Sequence, residues 1–579
     1  MPDLSVATIY ILDWSKIILF VFLAVGAWLI YRKKQKPENW LVLFGAAVFI
    51  FYAVMSAPLK KMFWGDSGDE VYIFSFLTRA MSAHPFGDYF YAHLPAFYPP
   101  LYFWATGFFA KFFVHTGIGA AKIGALGVFF LWFFGVYLWQ KFYWSRKSAF
   151  VPLSETTADA SEKTPTISSP WFWVALPVAA WLINDFNDLL LKPYEAISAI
   201  FLVVWLGFLA QELSANRWTW KKYLFFGVSG GLLFLTYYFW WFMAVIALAA
   251  WIISEKNKIL NSTRIIFTGV IIFIVSLPYI LPLALSYFRQ GMDNFQASYF
   301  YYAHFATFAP ITAFNFKAVL FILGLIGLII YRQNKFVRIN LFLFLSCYLY
   351  QFLNLIFFAA HGQAFQAQKA FPLLANISLS VGTAYLLVDV ALKNYQKKYF
   401  REAAVIVLIL AAINLPFGAF IEDKIVLDNL NNDLTAPQDL ILAQEIKKEA
   451  PDYANRVWLS SGAPELNAFL PINYYLAFNS QFSHPAANWS KRFAEVKNLT
   501  AAKTPEDFQN KWQAIGSEKF NAMLLYYNRA SSSYSIFYWQ NDFPNAGAEA
   551  KLDLNPKLIG DKYWQTVFDN GDWKIFLAK

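Results

Sequence analysis

About twelve stretches of this 579-residue chain are apolar over lengths that approach or reach the roughly 20 residues a helix needs to cross a bilayer. They run near 8–31, 39–58, 120–143, 171–184, 195–213, 222–238, 241–254, 264–286, 317–331, 338–359, 372–392 and 402–420. No other feature constrains the fold as tightly. A segment in lipid must satisfy its own backbone hydrogen bonds, so each stretch is expected to coil into a helix. Composition agrees. The chain is 58% hydrophobic and 20% aromatic, with 15% charged residues, against roughly 25% charge in average soluble chains. Its mean hydropathy is +0.40. Such a balance excludes a disordered chain and disfavours an ordinary soluble enzyme. The first apolar run has no basic region before it, and Arg32-Lys33-Lys34 follows it. It reads as a span and not as a cleavable signal. The single cysteine, Cys347, lies inside an apolar run, so no disulfide framework or thiolate metal site is available within one chain.

The net charge of +10 does not point to nucleic acid, because the basic residues cluster between the spans, where the positive-inside rule accounts for them. Arg146-Lys147, Lys221-Lys222, Lys256 with Lys258, Arg332 with Lys335, and Lys397-Lys398 join Arg32-Lys33-Lys34 on the cytoplasmic side. Both termini then face outside, and only Lys60-Lys61 breaks the rule. Counting 98–114 as a span would reverse Arg146-Lys147, so it reads as an external interfacial helix opened by Pro99-Pro100. External pieces follow at 59–119, 185–194, 287–316 and 360–371. The polar 148–170 stretch reads as a flexible cytoplasmic linker. The expected organisation is a membrane domain over 1–420 and an external domain over 421–579.

That tail loses long apolar runs and gains short ones, Val457-Trp458-Leu459 and Met523 to Tyr527 among them. Asn570-Gly571 lies between Thr566-Val567-Phe568 and Trp573 to Leu577, which is a hairpin signal. Glu506 to Ile515 reads as a helix. The fold class is therefore an α-helical polytopic membrane protein with a C-terminal extracytoplasmic α/β domain.

Chemistry gathers in the external pieces. The first loop carries Asp66, Asp69 and Glu70 within five residues. Unpaired carboxylates beside a membrane are costly to bury, so the cluster is either solvated or lines a polar cavity. Asp185, Asp188, Lys192 and Glu195 crowd what would otherwise be a turn and the start of a span. Lys192 and Glu195, three residues apart, have the spacing of a helix-surface pair; alternatively Lys192 binds an anionic headgroup. A third polar patch holds His361, Gln363, Gln366, Gln368 and Lys369. Arg289 opens another external loop, as an interfacial anchor or as a bidentate phosphate ligand. Nucleotide-binding loops, zinc motifs and nucleophile elbows find no match at a usable place, so an activated donor would come from lipid.

These residues resemble the GT-C class of polytopic glycosyltransferases. The likeness rests on the acidic pair Asp69-Glu70 and the closing segment Tyr98-Pro99-Pro100-Leu101-Tyr102-Phe103-Trp104. Within the class, the chain is most similar to the galactan 5-O-arabinofuranosyltransferase family. Asp69 through Arg79 to Pro100, Lys192-Pro193-Tyr194-Glu195, and Ser483 to Ala487 with Arg492 carry that closer likeness. The resemblance implies a GT-C fold and a polyprenyl-phosphoryl-arabinose donor. It also implies a cell-wall galactan acceptor and an active site outside the plasma membrane. Asp69 is the implied general base, with Glu70 and Asp66 beside it. Lys192, Arg289, His361 and Lys369 are the candidates for the donor phosphate. Tyr98, Tyr194, Glu195, Asp185 and Asp188 are candidates for substrate contact. His484 and Arg492 are candidates for the acceptor, or else pack the tail domain. No cofactor is expected beyond the lipid-linked donor, and a divalent metal is left open. Another GT-C transferase, or a transporter or flippase of lipid-linked sugars, is the alternative; the latter would carry its charges at mid-membrane depth.

Overall fold

The computed structural model describes residues 5–32, 37–58, 67–142, 167, 169–184, 192–213, 218–293, 316–394, 438–516, 518–540 and 548–579. Every apolar stretch that falls within them is helical, and 402–420 lies outside them. The membrane part runs α1 (Val6–Arg32), α2 (Pro37–Ser56), α3 (Ser67–Met81), α4 (Leu101–Ala110) and α5 (Gly117–Phe130). A π-turn at Leu131–Gly135 carries α5 on to Phe142. There follow α6 (Pro170–Ile183), α7 (Pro193–Leu213), α8 (Trp220–Thr236), α9 (Trp240–Ser254), α10 (Lys258–Gln290), α11 (Phe316–Ile330), α12 (Lys335–His361) and α13 (Asn376–Asn394). Among the described residues, seven helices are long and apolar enough to span a bilayer: α1, α2, α5, α7, α10, α12, and Ala367–Ala391, which includes most of α13. α4, with ten residues, is about 15 Å long, half of a hydrocarbon core. It starts directly after Pro99-Pro100 and does not span, as its sequence led one to expect.

The two ends of the bundle differ. At one end ionisable groups pair locally: Glu212 with Lys222 at 2.6 Å, Glu255 with Arg338, and Asp389 with Lys393 at 2.6 Å. The Tyr331 hydroxyl donates to Asp389, and the Arg264 guanidinium to the Leu213 carbonyl. These contacts close helix ends, where backbone carbonyls lack partners. At the other end lie α3, α4, the α8–α9 turn, the 362–369 loop and the tail domain.

The tail domain begins with α14 (Gln438–Glu449) and builds a seven-stranded mixed sheet. β1 (Val457–Ser460) pairs in parallel with β2 (Asn473–Tyr474) and with the first half of β3 (Ala522–Asn528). The second half of that same β3 edge pairs antiparallel with β4 (Ser533–Gln540), which pairs with β5 (Ala548–Leu554). β7 (Trp573–Ala578) covers the opposite edge of β3 and carries β6 (Trp564–Asp569). The expected hairpin is β6–β7. Gly571 supplies φ +89°, and Asn570 Oδ1 accepts from the Asp572 and Trp573 amides. α15 (Trp489–Thr500) and α16 (Pro505–Gln513) pack alongside, the latter capped by Thr504.

The tail domain is seated on the first loop. Thr78 Oγ1 donates to the Ala468 carbonyl at 2.9 Å, and Arg79 Nη2 to Asn473 Oδ1 at 2.6 Å and the Ile472 carbonyl. The Tyr474 amide donates to the Phe90 carbonyl, and Asn467 Nδ2 to the Tyr89 carbonyl. The Tyr72 and Tyr89 hydroxyls both reach the Phe482 carbonyl, and Tyr91 meets Ser483. Arg492 belongs to this seat. It is buried, donates to the Ala487 and Tyr475 carbonyls, and stacks between the Tyr91 and Tyr475 rings.

The loop after α3 is held by Asp88, whose Oδ1 accepts from the Phe90 and Tyr91 amides at 2.9 Å each. Burial pushes this carboxyl up from its ordinary 3.8 to about 7, against the smaller pull of those amides and of Arg79. The folded chain therefore keeps the proton through a range where the unfolded chain has lost it. Stability falls as pH rises from about 4 to about 7. Asp88→Asn keeps the acceptor and removes the charge. It is expected to raise thermal stability at pH 8, by at most about 4 kcal/mol, and to leave stability at pH 4 unchanged. Thermal unfolding in detergent at the two pH values checks this.

Candidate active site

Two cavities meet at one lysine. A small polar cavity is lined by Tyr72, Ile73 and Phe76 of α3, by Phe103 and Tyr194, and by Phe482 of the tail. A groove of about 650 Å³ runs from it between α8, α9, α10 and α12, with Tyr237, Tyr238, Phe242, Tyr279 and Tyr350 on its walls. Tyr98, Gln366, Lys369 and Gln481 line both. The groove is aromatic and apolar along the helices and turns polar where the lysine sits. That pattern suits an amphiphile with an anionic head and a lipid tail.

The sequence positions Lys369 through three devices. Asn334 caps the start of α12, accepting from the Phe336 and Val337 amides. Gly362, at φ +65°, ends the helix in the left-handed conformation that glycine adopts without cost. Asn354 Oδ1 then accepts from the Phe365 amide at 2.6 Å, folding the loop back over its own helix. The returning chain passes through a 3-10 turn, Ala367–Ala370, which carries Lys369, and enters α13. α13 lies against α11 with no room to spare: a Cβ on Gly382 would stand 2.0 Å from the Gly324 carbonyl oxygen.

Asp69 and Glu70 occupy the first turn of α3, one turn before Tyr72 and Ile73. Asp66, Asp185 and Asp188 lie outside the described residues. Tyr98 and Tyr194, expected at the substrate, do come together here, with ring centroids 5.9 Å apart. Glu195 is buried directly below, and Tyr237 donates a hydrogen bond to its carboxylate. Lys192 precedes α7, half-buried, and is not among the residues lining either cavity. His361 ends α12 exposed, its ring 4.5 Å from that of Phe357. Arg289 lines a different cleft, on the far side of α10.

His484 lies behind the groove's tail-side end, between Ser483 and Pro485, which line it, and is not a surface ligand. It is buried between Phe97 and Tyr287, and its Nδ1 accepts from the Ala486 amide. Burial pushes the imidazole down to about 3, outweighing the opposing pull of the Pro95 backbone. It is neutral at physiological pH and reads as packing. Arg492, committed to the Tyr475 and Ala487 carbonyls, does likewise.

Sequence reasoning did not single out Gln481 or the groove tyrosines Tyr237, Tyr238, Tyr279, Tyr287 and Tyr350. Gln481 sits in a tail segment whose position depends on docking. The spacing of Tyr279, Leu283 and Tyr287 on α10 was a readable signal, since i, i+4 and i+8 share a helix face. Among the described residues no group of three or more potential metal ligands gathers, a statement that leaves the 66–70 carboxylates aside.

Residues 6–162 match the family model for the arabinofuranosyltransferase N terminal. The chain is also similar to the crystal structure of ArnT from Cupriavidus metallidurans in the apo state. That similarity is 10% identity over 93% of this chain and 98% of that one, with a TM-score of 0.45. No curated protein matches. In a polytopic membrane chain, this N-terminal match supports a membrane glycosyltransferase. The matched segment holds Asp66, Asp69, Glu70 and Tyr98, and the match supports the resemblance drawn from them.

The packing of α13 gives a prediction. Gly382→Val forces α11 and α13 apart and is expected to cost about 1–3 kcal/mol. Gly269→Ala, on α10 with open space around it, is expected to be neutral or to stabilise by about 0.5–1 kcal/mol. Melting temperatures of the two purified variants against the parent decide the matter.

Proposed function

We propose that the chain transfers arabinofuranose from polyprenyl-phosphoryl-arabinose to a cell-wall galactan, at the outer face of the plasma membrane. The observation that carries this reading is the place of Lys369. It stands where an aromatic groove between membrane helices meets a small polar cavity against α3. The polyprenyl chain would lie in the groove, the phosphate at Lys369, and the sugar in the cavity with Tyr98, Tyr194 and Gln481. The family match over residues 6–162 supports the sugar and the enzyme class.

The reaction is an inverting displacement. The acceptor hydroxyl oxygen attacks the anomeric carbon, and the carbon–oxygen bond to phosphate breaks. The electron pair leaves with polyprenyl phosphate, and Asp69 takes the hydroxyl proton. A positioned carboxylate base contributes about 10²–10⁴-fold. Glu70 and Asp66 would orient Asp69 or hold donor hydroxyls. The leaving phosphate needs charge stabilisation more than protonation, which is the part given to Lys369. Lys192 is the second candidate for that role. His361 and Arg289, outside the lining of groove and cavity, fall behind it. Asp185 and Asp188 remain candidates for contact with donor or acceptor, and Glu195 orients Tyr237 below the cavity.

The test is a transfer assay on purified protein in detergent, with polyprenyl-phosphoryl-arabinose and a short galactofuranose acceptor. Asp69→Asn is expected to bind donor and lose transfer by about 10²–10⁴-fold. Lys369→Ala is expected to lower kcat/KM by about 10–100-fold, the worth of a hydrogen bond to a charged group. Near-normal turnover by Asp69→Asn would remove it as the base. Unchanged donor dependence in Lys369→Ala would move the phosphate elsewhere. Absence of transfer by the parent would point to a different lipid-linked sugar.

A further inference from the structure

A second and larger cleft, of about 1140 Å³, lies across α10 from the donor groove. The helix divides the two by its own periodicity. Leu281, Leu285 and Arg289 line the cleft, whereas Tyr279, Leu283 and Tyr287 line the groove. The cleft's other walls are the loop 83–95 and the edge of the tail domain around Asn455, Asn473 and Glu518. Apart from Arg289, a lower-ranked phosphate candidate, none of these residues takes part in the proposed transfer.

The cleft is built for a polar ligand. Asp88 and Arg79 line it, at 1% and 4% exposure, and among the described residues neither Asp88 Oδ2 nor Arg79 Nε has a hydrogen-bond partner. Leaving such groups unsatisfied costs about 1–3 kcal/mol each, a cost that a ligand carrying both donors and acceptors removes. The lining carries both signs, Arg79 and Arg289 with Asp88 and Glu518. A polyanion and a polycation are both disfavoured by such a lining, while a neutral chain of hydroxyls is not. Asn455, Asn473 and Gln290 add amides that donate and accept at once. Phe86, 66% exposed and set edge-on against Trp104, offers an apolar face to the C–H side of a sugar ring. His93, at φ +63°, reaches from the loop to within 3.4 Å of Glu518 and ties the two walls together. A non-glycine residue held in that region carries backbone strain of the kind that gathers at ligand sites.

We propose that this cleft holds the distal part of a neutral, hydroxyl-rich glycan, retaining the acceptor chain while its growing end reacts beside α3. Arg79 lies ten residues after Asp69 on the same helix, about 15 Å along its axis. A long acceptor engages both places and a short one only the reactive site. The inference rests on the proposed function for the identity of the chain, but binding is measurable without any donor.

The experiment is a binding titration on the full chain in detergent, with a galactan disaccharide and a galactan octasaccharide as probes. The parent is expected to bind the octasaccharide about tenfold more tightly, a difference of about 1.4 kcal/mol. The double variant His93→Ala/Glu518→Ala is expected to lose that length advantage while its disaccharide affinity stays the same. Asn455→Ala, an independent exposed position, is expected to lose part of it, and melting temperatures confirm that both variants fold. Equal affinity of the parent for the two lengths overturns the inference, as does a double variant that keeps the advantage. Displacement of the octasaccharide by a sulfated polysaccharide, but not by a neutral one, would also overturn it. Arabinose transfer to the disaccharide by the parent is read separately. Transfer without a length advantage leaves the function standing and removes the cleft. A length advantage without transfer does the reverse.

Discussion

The hydrogen-bonded seat between the first loop and the tail domain is the contact on which the rest depends. α3 and the loop after it offer Thr78, Arg79 and the backbone around Tyr89 and Phe90; the tail answers with 467–474 and 482–483. These groups are buried at the edge of the bundle, where an unmade hydrogen bond costs about 1–3 kcal/mol. The tail therefore has one way to sit. By sitting there it brings Phe482 and Gln481 over the start of α3, completing the small polar cavity. The same contact sets Asn473 and Glu518 opposite the loop and so forms the second cleft. A site spread over residues 72 to 482 exists because this one interface is satisfied.

α10 does the complementary work from the membrane side. Its Tyr279 hydroxyl donates to the Phe97 carbonyl at 2.6 Å, and the Asp293 amide just beyond its end donates to the Pro485 carbonyl. The helix is thus fixed to both loop and tail. One of its faces closes an aromatic groove and the other borders a polar cleft, so a lipid-linked donor and a hydrophilic chain would be kept apart by the width of a helix. Charges at the opposite end of the bundle are paired off locally. At the end that bears the groove and the cleft, Asp88 Oδ2 is buried without a protein partner among the described residues.

Much of the fold was legible because lipid enforces it. Helices at the described apolar stretches, the short helix after Pro99-Pro100, and the Asn570-Gly571 hairpin follow from local rules of length, backbone freedom and missing amide donors, and each is where those rules put it, although only seven of the twelve expected spans are long and apolar enough among the described residues. The site was legible in part. Lys369, Tyr98 and Tyr194 were expected at the substrate and do line one connected space. Arg289 and His361 were expected at the phosphate and are not among its lining residues. A charge at the end of a span announces that it faces the membrane boundary, not which side of its helix it occupies. His484 and Arg492 stood as acceptor candidates or as packing of the tail domain, and both are buried within it.

What the sequence determined by itself was therefore the set of helices, their order, and the chemistry collected in the first loop. Each of these depends on neighbours within a few turns of the same chain. Only the tertiary structure decided that Lys369, three hundred residues from Asp69, belongs with α3, or that two cavities flank α10. Those facts depend on which polar edges find partners across the bundle. That pairing is set by desolvation over the whole assembly, and no local pattern of residues encodes it.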